Sequence, residues 1–195
     1  MTLGANHGSF SVVASSIVGA EGHVIAVEPQ PHLSALLQRS LEIGKSPYKV
    51  HQLALGDRSG DVSLYIPKDT SGAAGVYGGH SATHSHRTLS VPLRRFDEAV
   101  HWQQCPGQIV VKLDVEGNEI PFLRGAQEMI EERRPILIVE INPKTLEASG
   151  FSGDQLRKAL LNFGYETYSS SKKSEEKDPL SELPTSDQRN VVVWT

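Results

Sequence analysis

Short β-branched runs alternate with stretches of helical periodicity along almost the whole chain, and this alternation limits the fold more than any other feature. A chain built this way makes a mainly parallel sheet with helices on both faces, the α/β arrangement. Ser9–Val18 reads as a first helix after a glycine-containing turn, and His23–Glu28 (HVIAVE) as a strand. Over Pro31–Ile43, residues Leu33, Leu36, Leu37 and Leu41 recur at helical spacing, with Pro31 suited to the first turn and Gly44 to the end. Lys49–Leu55 reads as the next strand. Asp61–Ile66 and Thr88–Leu93 are expected to pair as an added β-hairpin, followed by a short helix over Arg94–Trp102. Gln108–Asp114 (QIVVKLD) is an apolar strand ending in an acid. Ile120–Arg133 is helical, with Ile120, Leu123, Met129 and Ile130 facing inward. Pro135–Ile141 (PILIVEI) is so continuously apolar that it predicts a buried central strand. Ser152–Phe163, capped by Ser152, is the last helix, and Tyr165–Ser169 and Asn190–Trp194 are the final strands.

The 195 residues are expected to form a single domain over 1–195. Segments 68–87 and 170–188 lack periodicity and are expected as surface loops, the first long enough to act as a lid or substrate loop. A net charge of −4 argues against a dedicated nucleic-acid binder, which would lean on clustered Lys and Arg. No apolar run approaches a membrane span, and Met1–Gly8 has neither a basic stretch nor an apolar one, so no signal peptide is read. The single cysteine, Cys105, allows no internal disulfide. A cytoplasmic enzyme is the default expectation.

Four groups of residues carry the chemistry. Gly4-Ala5-Asn6-His7-Gly8 lies between a short strand and a helix, where glycine lets the backbone turn sharply and approach a ligand. The following helix offers free N–H groups and a positive dipole end. Glu28 ends the next strand, before Pro29, where an acid can accept hydrogen bonds from a ribose diol. Asp57, after Leu53-Ala54-Leu55-Gly56, is expected at the same sheet edge, either beside an adenine amine or as a plain turn residue. In Val111-Lys112-Leu113-Asp114-Val115-Glu116-Gly117-Asn118-Glu119, three carboxylates cluster at the end of an apolar strand. Glu140 and Asn142 point to the same rim. Such a place suits acid/base or ion-binding chemistry, with Glu119 instead read as a helix cap.

In order and spacing, GANHGSFS, VIAVEPQP, LALGDRSG, VKLDVEGNEIPFLRGA and ILIVEINP resemble the FkbM-type methyltransferases, a family of the class I S-adenosylmethionine-dependent fold. The resemblance runs from about Leu3 to Pro143. It implies a Rossmann-like, doubly wound, mostly parallel sheet of seven strands, S-adenosylmethionine as methyl donor, and a small-molecule acceptor methylated on an oxygen. Carried over, Gly4, Ala5, Asn6 and Gly8 would hold the methionine part, and Glu28 with Pro29 the ribose. Asp57 would sit near the adenine, and Asp114 and Glu116 near the transferring methyl as the catalytic pair. The chain departs from the pattern at Thr2, where the family usually has an Asp. Its first strand is expected to be a truncated stub, leaving part of one sheet face uncovered and favouring a homodimer or another partner.

The implied chemistry is direct transfer to a hydroxyl or carboxyl oxygen, with Asp114 or Glu116 as base. A carboxylate-rich site suits a hard divalent ion such as Mg²⁺, yet no spacing identifies a full ligand set, so no metal residue is assigned. His80, His84 and His86 read as solvated loop histidines. Two other readings compete: a cofactor-binding or assembly domain without activity, and a nucleotide-dependent oxidoreductase, which the Gly4–Gly8 spacing disfavours.

Overall fold

The computed structural model describes residues 1–67, 74–76, 86–170 and 177–195. The chain opens with β1 (Thr2–Leu3), α1 (Ser9–Val18), β2 (Val24–Val27), α2 (Pro31–Glu42) and β3 (Tyr48–His51). It then lays down β4 (Ala54–Gly56), β5 (Gly60–Pro67), β6 (His86–Arg95) and the short α3 (Phe96–Ala99). The second half runs β7 (Val110–Leu113), α4 (Glu119–Gly125), α5 (Gln127–Arg133), β8 (Ile136–Ile141), α6 (Pro143–Ala148) and α7 (Gly153–Asn162). It closes with β9 (Thr167–Ser170), β10 (Asp178–Pro179) and β11 (Arg189–Trp194).

The main sheet has eight strands among the described residues, in the order β10-β9-β11-β8-β7-β1-β2-β3, and not the expected seven. The additional one is the two-residue β10, which pairs Asp178 with Tyr168 inside the second aperiodic segment. That segment also sends Leu180 and Leu183 into the core, fully buried. From β3 to β8 the pairing is parallel throughout, whereas β11 runs antiparallel between β8 and β9. The chain winds outward from β1 in one direction to β3, then restarts beside β1 at β7 and winds the other way. This strand-order reversal opens a crevice beyond the carboxyl ends of β1 and β7.

The expected hairpin strands pair antiparallel over Gly60–Pro67 and His86–Arg95, but they stand in a separate sheet, three-stranded among the described residues, instead of extending the main one. Its third strand is β4, parallel to β6. The run Lys49–Leu55, expected as one strand, is thus two: β3 in the main sheet and β4 in the small one. The small sheet is locked onto α4 by a close approach of Gly125 to Gly56, where a Cβ on Gly125 would lie 1.9 Å from the Gly56 carbonyl oxygen. The stretch 120–133, expected as one helix, breaks at Ala126 (φ −114°, ψ 21°) into α4 and α5. Helix α6 was not expected from the periodicity; Asn142 caps it by accepting from Lys144 N–H, with Pro143 in its first turn.

Most of the core lies on one face of the sheet. Phe122, Leu123, Met129, Ile130, Leu156 and Leu160 pack there against Leu3, Val111, Leu113, Leu137, Val139 and Ile141. The other face holds a small cluster of Val24, Ala26, Leu37 and Leu41 under α1 and α2. Strand β8, expected to be buried on both sides, alternates instead: Leu137, Val139 and Ile141 are buried, and Ile136, Ile138 and Glu140 are half-buried. No helix among the described residues is long and apolar enough to cross a membrane.

Candidate functional site

A cleft at the crevice beyond β1 and β7 encloses about 900 Å³, solvent at its mouth included. Three backbone devices build it. Gly4 ends β1 with φ +69°, and a Cβ there would lie 1.8 Å from the Asp114 carbonyl oxygen. Only glycine lets the first loop cross so near the end of β7. Asn6 then takes a left-handed φ of 52°. Its N–H donates to Glu28 Oε2 at 2.9 Å, while Glu28 Oε1 accepts from Gln30 N–H at 2.9 Å. The buried Glu28 carboxylate therefore ties the loop after β1 to the loop after β2. Two backbone N–H donors and the Gln30 side chain occupy three of its roughly four acceptor sites and leave one for a ligand. Burial pushes its pKa up, and the two N–H donors with the Gln30 side chain oppose that.

The third device is the loop after β7. Glu116 sits at φ +50°, left-handed and not glycine, and Gly117 follows at φ +93°. A Cβ on Gly117 would lie 2.4 Å from the Thr145 carbonyl oxygen, so glycine is what admits α6 against this loop. A non-glycine residue held in that region stores strain that the surrounding packing must maintain. Glu119 anchors the loop from below: its Oε1 accepts from Gly117 N–H at 3.2 Å. Its Oε2 is buried without a hydrogen-bond partner among the described residues. Asn118 donates its side-chain amide to the Leu55 carbonyl, joining the loop to β4.

Asp114, Glu116 and Glu140 converge at one end of the cleft, with one oxygen of each within 4.8 Å of the others. Asp114 is paired with Lys112. Burial raises the Glu116 pKa to about 7, with the charges of Glu140, Asp114 and Glu119 adding to it and Lys112 opposing. Burial also raises Glu119 to about 7. Glu140 is raised mainly by burial and by its contact with Asp114, against a hydrogen bond from Gln188 Nε2 at 2.8 Å. A group with a pKa near neutrality exchanges protons readily there, as general acid/base work needs. The spacing is also one a hard divalent cation tolerates. The opposite wall is apolar, made by Leu53, Ala54, Leu55, Leu64 and Val76. Residues 74–76 are held over it by the pairing of Gly75 with Tyr65, at 2.9 and 3.1 Å.

Of the residues singled out in the sequence, Gly4, Asn6, Glu28, Pro29, Asp114 and Glu116 line the cleft together. Three do not. Ala5 spends its N–H on the Val27 carbonyl at 3.0 Å. Gly8 turns into α1 against Leu37 and serves packing. Asp57 lies past the end of β4, where its carbonyl accepts from Arg95 and its carboxylate faces Arg58 at 3.3 Å. The chain reverses there into β5, which carries Asp57 away from the cavity. Thr2 is also turned elsewhere, bonded to Ser11 Oγ at 2.7 Å beneath α1. His86 begins β6 beside the Tyr65 ring, and His80 and His84 lie outside the described residues. Not foreseen were Gln30, the apolar wall and the Asn118 link. The wall had a signal in the apolar run Leu53–Leu55, which reads equally well as an ordinary core strand.

A family model described as methyltransferase FkbM domain matches residues 3–167. A crystal structure of methyltransferase FkbM from Methylobacillus flagellatus KT resembles the chain with a TM-score of 0.56 at 16% identity, covering 100% of this chain and 43% of that one. The likeness is one of fold, and the chain spans less than half the length of that protein. No curated protein matches it in sequence.

Proposed function

The chain belongs to the FkbM methyltransferase family, and from that premise we propose that it transfers a methyl group from S-adenosylmethionine to a hydroxyl oxygen of a small polar acceptor. The observation that carries this reading is one cavity holding an acid at one side, an apolar wall, and a carboxylate cluster at its end. These match the parts of the donor in kind. Glu28 has one acceptor site left for a ribose hydroxyl. Leu53, Ala54, Leu55, Leu64 and Val76 offer an apolar surface to a purine. Asp114, Glu116 and Glu140 suit a sulfonium and an ammonium charge, and the bend at Gly4–Asn6 supplies the approach.

When bound, the donor supplies an electrophilic methyl carbon; the protein's own work is to orient the acceptor and take its proton. Glu116 is the best-suited base. It lines the cleft and its pKa of about 7 lies at the operating pH. Asp114, held by Lys112, positions the end of the loop. A crowded set of carboxylates disfavours an anionic acceptor, because like charges brought together without water repel strongly. That favours a hydroxyl over a carboxyl oxygen.

Thermal shift with S-adenosylhomocysteine tests donor binding, since a ligand that binds only the folded state must raise the midpoint. A rise with that compound and none with NAD is expected; the reverse would end the reading. With a labelled donor and an acceptor found by screening, Glu116→Gln is expected to lower kcat by about 10²-fold or more, with homocysteine-form binding retained. Wild-type turnover in that variant would remove Glu116 from the mechanism.

A further inference from the structure

Helix α1 is built inside out. Its sequence, SFSVVASSIV, contains no charged residue. The side turned to the protein carries Ser11 and Ser15, both fully buried. Ser11 bonds to Thr2, and Ser15 Oγ accepts from Lys45 N–H, Ser46 N–H and Ser46 Oγ at 2.9 to 3.1 Å. The opposite side carries Phe10, Val13 and Ile17, exposed by 40, 57 and 79%, and Val18 at the end of the helix is 43% exposed. A surface helix of a soluble protein ordinarily does the reverse. The serines are inward because α1 approaches the turn at Gly44–Ser46 so closely that a Cβ on Gly44 would meet Ser15 Oγ at 2.2 Å. That accounts for the buried polar side but not for the apolar one.

The exposed apolar side forms one wall of a groove. Its floor is the open face of the sheet, with Val110 (40% exposed) and Ile138, and its far wall is Cys105, Pro106 and Ile109. Parallel strands as apolar as β7 and β8 are normally covered on both faces. Among the described residues, no Asp, Glu, Lys or Arg side chain lines the groove. The five exposed apolar residues that line it present on the order of 400 Å² together, the size at which a patch marks an interaction surface. A standard interface hides about 800 Å² per partner, a little over half of it apolar, so this patch alone comes near the apolar part of one.

We propose that this face is the interface of a symmetric dimer, in which α1 of each copy lies in the groove of the other. The occupant must be uncharged and apolar on one side, and α1 itself is that. A two-fold axis lets one copy's helix ridge meet the other's slot while the reverse contact forms at the same time. Charge points the same way. Each copy carries a net −4, which opposes association elsewhere on the surface, whereas the charged groups at this face are the Met1 ammonium, which donates to the Val110 carbonyl at 2.5 Å and whose pKa burial lowers to about 6, and Lys112, whose ammonium lies 5.7 Å from the Phe10 ring centre and is paired with Asp114. The groove lies toward the amino ends of β2 and β7, so the dimer leaves the cleft at their carboxyl ends open.

Sedimentation velocity of the full chain at micromolar concentration tests this. A dimer is expected for the wild type, and Ile17→Glu should weaken it by at least about tenfold, as loss of a central anchor does. Ile17 is the most exposed of the set, so the variant should keep the wild-type circular dichroism and melting profile. In a Cys105→Ser background, which removes the native thiol from the groove wall, Val13→Cys paired across the axis by an oxidant should give a covalent dimer that Ile17→Glu suppresses. A monomeric wild type would overturn the proposal, because the face would then stand open or take a different occupant. A dimer unaffected by Ile17→Glu would overturn it equally, by placing the contact elsewhere.

Discussion

Two glycines and one glutamate carry much of the site at the scale of single residues. Gly4 stands so near the Asp114 carbonyl that Gly4→Ala combines a left-handed penalty with a backbone collision, and should destabilise the fold by about 3 kcal/mol or more in urea titration. Gly117 has the same character against Thr145, which is why the loop bearing Glu116 can be pressed between β7 and α6. Glu28 works through its carboxylate shape, accepting from two loops at once. Asp57 offers a contrast. It occupies the place in the sequence where an adenine contact is expected, yet it lies outside the cleft. Asp57→Ala should therefore change the affinity for S-adenosylhomocysteine by less than about twofold in calorimetric titration; a loss near the 1.4 kcal/mol that a tenfold change represents would return it to the site.

At the scale of elements, the capped helices and the second sheet tell different stories. α7 opens with a full capping box: Ser152 Oγ accepts from Gln155 N–H at 3.2 Å, and Gln155 Oε1 accepts from Ser152 N–H at 2.8 Å. Ser152→Ala should cost about 1 kcal/mol, read from the shift of the chemical-denaturation midpoint at unchanged slope. This motif is local, and it was legible in the residues. The small sheet is not local. β4 leaves the main sheet because its partner is Leu93–Arg95, some forty residues further along, and nothing within Lys49–Leu55 announces that pairing. Likewise α4 and α5 share one helical period but are separated at Ala126. Asp97 accepts there from the N–H groups of Glu128 and Met129, which start α5 afresh.

For the whole molecule, the carboxylate cluster ties stability to pH. Glu116 and Glu119 are both raised to about 7 in the folded protein from an ordinary 4.5, chiefly by burial. The folded state therefore holds their protons more tightly than the unfolded chain does. The resulting stability is fully present below about pH 4.5 and is lost as pH rises through about 7. The melting temperature should fall between about pH 5 and about pH 8, and a rise over that range in differential scanning calorimetry would contradict the burial of these acids. Glu119→Gln removes one of the two charges and keeps an acceptor for Gly117 N–H. At about pH 8 it should be more stable than the wild type by about 1–3 kcal/mol, with a flatter pH profile.

The sequence by itself determined the alternation of strand and helix, the parallel sheet that follows from it, and the strand ends at Gly4, Glu28 and Asp114. These are short-range facts: hydrophobic period, turn chemistry and the residue closing each strand act within a few positions. Only the tertiary structure decided which strand ends share a cavity, that β4 leaves the main sheet to pair with β6 in a sheet of its own, and that β7 and β8 are buried on one face alone. Those outcomes depend on contacts between residues far apart in the chain, where geometry admits Asn118 beside Leu55 and turns Asp57 away. No local pattern encodes a distance of that kind.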